Sequence, residues 1–228
     1  MPGCADEIAL GVIVGMPAEA AGLRNSRCEV LVAGIGCERA RSAAAHMIER
    51  GVRALLSWGM AGGLSSQLKR GELLLPRRVV SERGEWPTDA RLRMQLLRTV
   101  PDVHEIDALY CSDAPVISLD RKRELANRGF DAVDMESAGV ATAASQAGVP
   151  FAMLKAICDP ASRAVPALAL RMLDETGRLR VSAMFGAARA GPRAWGELRA
   201  LRNDFAVARA SLRRVARTLP SLAEEVVS

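Results

Sequence analysis

The stretch Ala132–Asp159, AVDMESAGVATAASQAGVPFAMLKAICD, reads as strand, helix, strand, with an acid wherever a strand stops. Val133 and Met135 flank Asp134 and Glu136, and Ser137 begins an alanine-rich run that favours helix. Gly148-Val149-Pro150 ends that helix, and Phe151–Cys158 is an apolar run of strand length. Ligands in open α/β sheets bind beyond the carboxyl ends of strands, which is where Glu136 and Asp159 fall. Taken singly, each acid reads equally well as local structure: Glu136 favours a helix start, and Asp159 opens a turn before Pro160. The pair gains weight from what surrounds it.

Working outward, Ile8–Val14 is a buried-strand run ended by Gly15, and Met16-Pro17-Ala18-Glu19 starts a helix that closes at Leu23. Strands are expected at Glu29–Ala33, Arg53–Trp58, Glu72–Ser81 (with Pro76 as a bulge or edge position) and Ala108–Cys111. Helices are expected at Glu38–Arg50, Asp89–Val100, Leu119–Asn127 and from about Pro166 onward. Gly59–Gly63 reads more as a turn than as a site, although its bare backbone permits close approach of a ligand. Strands alternating with helices predict an α/β, three-layer αβα sandwich with a mostly parallel central sheet. The organisation expected is one domain over residues 1–190 and a basic amphipathic helical tail over 191–228.

The chain has 228 residues, half of them hydrophobic but only 4% aromatic, so its core must be built mostly from Ala, Leu, Val and Met. The five cysteines show no CxxC pair or zinc spacing, which suggests reduced thiols in a cytosolic protein. There is no secretory signal pattern and no apolar run long enough to cross a bilayer, so a soluble, cytoplasmic protein is expected. The net charge of +5 is concentrated between Arg178 and Arg217, which argues against a uniformly basic nucleic-acid binder. Gly34-Ile35-Gly36 opens like a dinucleotide fingerprint, but Arg39 replaces its third small residue; the Walker pattern and the G-x-S-x-G elbow are missing. His46 and His104 have no partner pattern and read as surface residues. No metal or cofactor is implied.

Taken together, GMPAEA (Gly15–Ala20), AGIG (Ala33–Gly36), GMAGGL (Gly59–Leu64), SDA (Ser112–Ala114), VDMESAG (Val133–Gly139) and AICD (Ala156–Asp159) resemble one family. It is the purine nucleoside phosphorylase/uridine phosphorylase superfamily, on the side of the methylthioadenosine/adenosylhomocysteine nucleosidases. The last third, with Gly191-Pro192-Arg193 and the Leu/Arg-rich run Leu198–Leu219, is similar to the hopanoid-associated phosphorylase subgroup. That similarity implies removal of adenine from adenosylhopane in bacterial hopanoid synthesis.

The resemblance implies a division of labour among three acids. Asp159 matches the acid that protonates purine N7, a role that demands a proton held near neutral pH. Glu136 matches the carboxylate that accepts from the ribose 2′ and 3′ hydroxyls and, staying ionised, favours a cationic sugar. Glu19 matches the base that activates water; its plain reading is a first-turn acid beside a helix dipole. Met135 and Met16 would pack on the ribose side, with Met60, Ala61 and Gly62 lining the base pocket and Pro115 and Val116 lying over the purine face. Pro115 departs from the aromatic usual in the nucleosidases. Met60 replaces the Ser that phosphorylases use for phosphate, and a thioether cannot donate to an oxyanion. Arg24, Arg39 or Arg41 are the remaining phosphate candidates, and each also reads as a solvated helix residue. Lys155 and Cys158 replace the Arg and Ser usual beside the acid, which suggests looser support for Asp159. Trp86 falls in a loop suited either to covering the 5′ side of a substrate or to anchoring itself.

Hydrolysis of an adenine nucleoside is therefore the first reading, phosphorolysis the second, and a non-catalytic nucleoside-binding or membrane-adaptor protein the third. The superfamily also implies a homo-oligomer. In the tail, Trp195, Leu198, Leu201, Phe205, Ala208, Leu212 and Val215 recur at helical spacing with arginines between them. Such a helix either docks on the domain or a second subunit, or makes peripheral contact with an anionic membrane, from which an apolar substrate would be collected.

Overall fold

The computed structural model describes residues 10–23, 28–166 and 191–219. Its elements, in chain order, are β1 (Leu10–Val14), β2 (Cys28–Val32), α1 (Cys37–Glu49), β3 (Ala54–Gly63), β4 (Leu73–Ser81), β5 (Gly84–Pro87), α2 (Ala90–Thr99), β6 (Val103–Cys111), α3 (Leu119–Asn127), β7 (Ala132–Asp134), α4 (Ser137–Ala147), β8 (Phe151–Asp159) and α5 (Gly191–Val215). Alternation of side chains along the strands separates two apolar layers. Leu10, Val12 and Val14 of β1 and Ala152, Leu154 and Ala156 of β8 face Leu92 and Leu96 of α2 and Ala208 and Leu212 of α5. On the opposite side, Ile13 of β1 and Met153 and Ile157 of β8 face Ala40, Ala44 and Met47 of α1 and Val140, Ala141 and Ala144 of α4. Helices thus cover both faces of the sheet.

The sheet is mixed and it curls. β1 runs parallel to β2 and β3, β3 to β8, β4 to β6 and β6 to β7, while β7 on β3, β8 on β4 and β5 on β4 are antiparallel. Because β8 bridges β3 and β4 on one side and β7 and β6 bridge them on the other, these strands form a closed ring from which β1, β2 and β5 extend. Pro76 lies where one edge of β4 passes from β8, paired at Leu73 and Leu74, to β5, paired from Arg78 onward. A missing ladder donor is tolerated best at such a gap.

Two segments differ from the sequence expectation in ways that matter. Residues 17–22 form successive turns in place of a helix, closed by the i+3 bonds Glu19 N–H to the Met16 carbonyl and Leu23 N–H to the Ala20 carbonyl, while the Glu19 carboxylate accepts from the Met16 N–H at 2.8 Å. Gly59–Gly63 is not a turn: β3 continues through it, paired with β8 as far as Asp159. The short strand β5 turns Gly84–Pro87, read as loop, back onto β4, and it places Trp86 against the α1/α4 layer. β6 begins at Val103, earlier than expected. The α4 stop reads as expected, with Gly148 left-handed at φ 66° just past the last turn. α1 and α4 press together at Gly139, where a Cβ would stand 2.0 Å from the Cys37 carbonyl oxygen. The start of the first strand expectation (Ile8), Arg24, and the helices expected across 167–190 lie outside the described residues.

α5 shares the core of residues 10–166. Leu201, Asp204, Ala208, Leu212 and Val215 are buried at helical spacing against the sheet. Each fully buried apolar side chain there contributes about 1.5–3 kcal/mol. Asp204, wholly buried, accepts from Arg70 at 2.7 Å and pairs with Arg163, tying the helix to the turn before β4 and to the segment after β8. The apolar stripe that a bilayer would need is therefore covered by this chain's own sheet, while Trp195 remains half exposed. No helix among the described residues is long and apolar enough to cross a membrane.

Candidate active site

Three carboxylates lie along the carboxyl-terminal parts of β1, β3, β7 and β8, Glu19 and Glu136 near enough to repel each other, and each lies against a glycine. A Cβ at Gly59 would stand 2.7 Å from Glu19 Oε1, one at Gly15 would stand 3.3 Å from the Glu136 carboxyl carbon, and one at Gly62 would stand 3.2 Å from Asp159 Oδ1. Each acid occupies the space that a side chain on the facing strand end would have taken. This is why the glycines of GMAGG sit inside a strand, where glycine otherwise weakens pairing.

Glu19 is buried and held at both oxygens, accepting from the Met16 N–H and from the Met60 N–H, each at 2.8 Å. The Trp58 indole N–H donates to the Glu19 carbonyl at 3.2 Å, pinning the same turn from below. Burial pushes the Glu19 carboxyl above the usual range; the nearby Lys155 charge and the backbone donors oppose that rise. Behind this turn stands the end of α5: a Cβ at Gly22 would lie 3.3 Å from the Ala216 Cβ.

Glu136 opens α4. Its Oε1 accepts from the Gly36 N–H at 3.0 Å, a donor aimed by the positive φ of 113° that only glycine adopts readily. The residue is half-buried, and its carboxyl carbon lies 3.3 Å from where a Gly15 Cβ would stand. Loss of hydration, with repulsion from Asp134 and Glu19, pushes its pKa up to about 8 against the pull of Lys155. Burial thus works against the ionised form that the resemblance implies for Glu136, and the Lys155 charge works for it. Beneath it lies a buried polar scaffold. Lys155 Nζ pairs with Asp134 at 2.8 Å and donates to Ser57 Oγ at 2.9 Å, while Ser137 bridges Ser57 and Asp134. Lys155 thus supports the Glu136 corner and not Asp159.

Asp159 ends β8 at a bulge. The register passes from Ala61↔Ile157 to Gly62↔Asp159, leaving Cys158 as the extra residue and setting the acid against Gly62. Cys158 Sγ donates to Asp159 Oδ1 at 3.1 Å, and Lys122 of α3 pairs with Oδ2. Lys122 was not foreseen, because a lysine in the charged helix LDRKRELAN reads as solvated. The signal lay in its spacing from Leu125, with which it forms the buried face of α3.

Among the remaining expected residues, Met60 and Ala61 are buried, Gly62, Met16 and Met135 are half-buried, and all five adjoin the acids in sequence or contact. Val116 packs beside Val133, whose Cγ1 would meet a Gly62 Cβ at 3.3 Å, whereas Pro115 stands exposed in the loop between β6 and α3. Arg39 is exposed on α1, and Arg41 pairs with Glu38 at 3.0 Å. His46 and His104 are exposed. Among the described residues no group of His, Cys, Asp and Glu side chains has metal-ligating geometry.

A mixed sheet sheathed by helices, with its acids gathered past the strand ends, is the architecture of an α/β protein that takes a small ligand at those ends. The chain belongs to the phosphorylase superfamily, whose model matches residues 23–189. Solved structures with the same fold include a Helicobacter pylori 5′-methylthioadenosine/S-adenosylhomocysteine nucleosidase in complex with an aminopyrrolopyrimidine-substituted pyrrolidinol, with TM-score 0.70, 20% identity, and 95% of this chain and 98% of that one covered. The corresponding Neisseria meningitidis nucleosidase, bound to methylthio-immucillin-A, aligns with TM-score 0.70 and 19% identity, covering 93% of this chain and 99% of that one. Helicobacter pylori futalosine hydrolase aligns with TM-score 0.69 and 20% identity, covering 95% and 97%. Proteins named for different nucleosides share this fold, so the fold alone does not choose among substrates.

Proposed function

We propose that the protein hydrolyses the N-glycosidic bond of an adenine nucleoside. The observation that carries this reading is the placement of Glu19. Its carboxylate occupies the two backbone N–H groups, of Met16 and Met60, that an anionic nucleophile would otherwise use. A buried carboxylate repels phosphate, and one with a raised pKa is a competent base towards water. Glu19 takes a proton from the attacking water and Glu136 grips the ribose hydroxyls. Asp159 gives a proton to purine N7 as the C1′–N9 electron pair moves onto the base.

For Glu136, accepting from two hydroxyls requires the ionised form, and substrate donors compensate for the lost hydration that raises its pKa. The finer identity of the nucleoside rests on the similarity of Gly191-Pro192-Arg193 and Leu198–Leu219 to the hopanoid-associated subgroup, which favours adenosylhopane. Following adenine release from methylthioadenosine, adenosylhomocysteine and adenosylhopane, with and without phosphate, tests both levels. Phosphate-independent release is expected, greatest from adenosylhopane; an absolute need for phosphate would overturn hydrolysis.

A further inference from the structure

Asp159 carries a partner that the proposed chemistry has not yet used. Lys122 is a fully buried lysine on a nine-residue helix whose neighbouring residues Asp120, Arg121, Arg123 and Glu124 are all charged. Its ammonium is bonded to Asp159 Oδ2 and donates to the Pro160 carbonyl at 2.9 Å. Burying an ammonium costs several kcal/mol, and an apolar side chain of similar length would fill the same slot more cheaply. The lysine therefore needs a reason beyond packing. The start of α3 is fixed by Ser118, whose side chain accepts from the Arg121 N–H, so Lys122 is presented from a rigid element.

We propose that Lys122 is the positioning residue of the leaving-group acid, an inference that rests on the adenine-nucleoside reading above. It acts in two ways. First, by tethering Oδ2 it fixes the carboxyl plane. Oδ1, which accepts from Cys158 Sγ and stands 3.2 Å from where a Gly62 Cβ would be, is the oxygen that Lys122 does not hold. Second, it compensates the charge that the reaction creates. When the C1′–N9 bond breaks, its electron pair goes to the purine, the Asp159 O–H bond breaks and an N7–H bond forms. A carboxylate is left in a buried site. While Asp159 holds its proton the buried Lys122 ammonium faces a neutral acid, and donation to N7 completes a buried ion pair instead of stranding a lone carboxylate. The proton taken from water by Glu19 is equivalent to the one Asp159 lost, and exchange through solvent resets both. Among the described residues, the other buried lysine, Lys155, stands in the same relation to Asp134, away from this step.

The test is a double-mutant cycle on adenine release, using Lys122→Met, Asp159→Asn, the double variant, and Lys122→Arg. Lys122→Met is expected to lower kcat by about 100-fold or more with little change in KM, the scale of a lost general acid. The double variant should be no slower than Asp159→Asn alone, because a residue that works through Asp159 has nothing left to support. Lys122→Arg should recover most of the rate. A 4-nitrophenyl riboside, whose leaving group departs without a proton, should be cleaved by Lys122→Met within about threefold of the wild type. Losses that multiply in the double variant, or that fall equally on both substrates, would make Lys122 an ordinary structural lysine and overturn the inference. Wild-type protein that releases no base from any nucleoside would instead remove the functional reading itself, a separate and recognisable failure.

Discussion

Replacing Glu136 by Gln keeps the shape and the acceptor for the Gly36 N–H while removing the charge. Burial places the Glu136 pKa at about 8, against 4.5 for an ordinary glutamate. An acid whose folded-state pKa lies above its unfolded value makes the folded chain the better proton binder. Stability is then full at low pH and falls as pH rises through the interval between the two values. From about pH 5.5 to about pH 7.5 nearly one whole proton separates the states, at about 1.36 kcal/mol per pH unit. The wild type should therefore lose about 2.5 kcal/mol of unfolding free energy relative to Glu136→Gln across that window. Urea unfolding of both proteins at several pH values measures it, and the difference between them cancels the other titrating groups to first order. If the two stability–pH curves run parallel, the Glu136 carboxyl is not desolvated as described, and the account of its protonation fails.

Gly59→Ala should cost both stability and activity, because its φ of 157° is one that L side chains rarely adopt. The new methyl would stand 2.7 Å from Glu19 Oε1, and displacing a catalytic group by about 1 Å costs up to about 100-fold in rate; unchanged turnover would refute Glu19 as the base. Asp204→Ala removes the buried acceptor of Arg70 and Arg163, both of which keep access to water. A loss of about 1–3 kcal/mol in urea unfolding is therefore expected, and a change within about 0.5 kcal/mol would show that this pairing does not hold α5 in place.

Much of the arrangement could be read before any coordinates. The strand–helix–strand unit from Ala132 to Asp159 is legible because apolar runs, an alanine-rich helix and a left-handed Gly148 all point the same way. The three acids could be named from their motifs. What the sequence hid were the places where a side chain overrides local preference. Met16–Leu23 reads as helix, yet it forms turns, and the bond that Glu19 accepts from the Met60 N–H comes from 41 residues away. Gly59–Gly63 has turn composition, yet Gly59 and Gly62 each make room for an acid from elsewhere in the chain, which no local window can show. Lys122 hid for the same reason, since its partner lies 37 residues downstream. The C-terminal helix was legible as amphipathic, but only the structure shows what its apolar side covers. Because its end braces the turn that carries Glu19, removing residues after 190 would disturb the site as well as any surface contact.

The bare positions at Gly15, Gly59 and Gly62 have a consequence for how such a pocket diverges. A methyl group at Gly59 would overlap Glu19, and one at Gly15 or Gly62 would crowd Glu136 or Asp159, so this end of the site has little room to change. Adaptation to a bulkier or greasier nucleoside has to be sought where the backbone has slack, and the exposed loop that carries Pro115 is such a place.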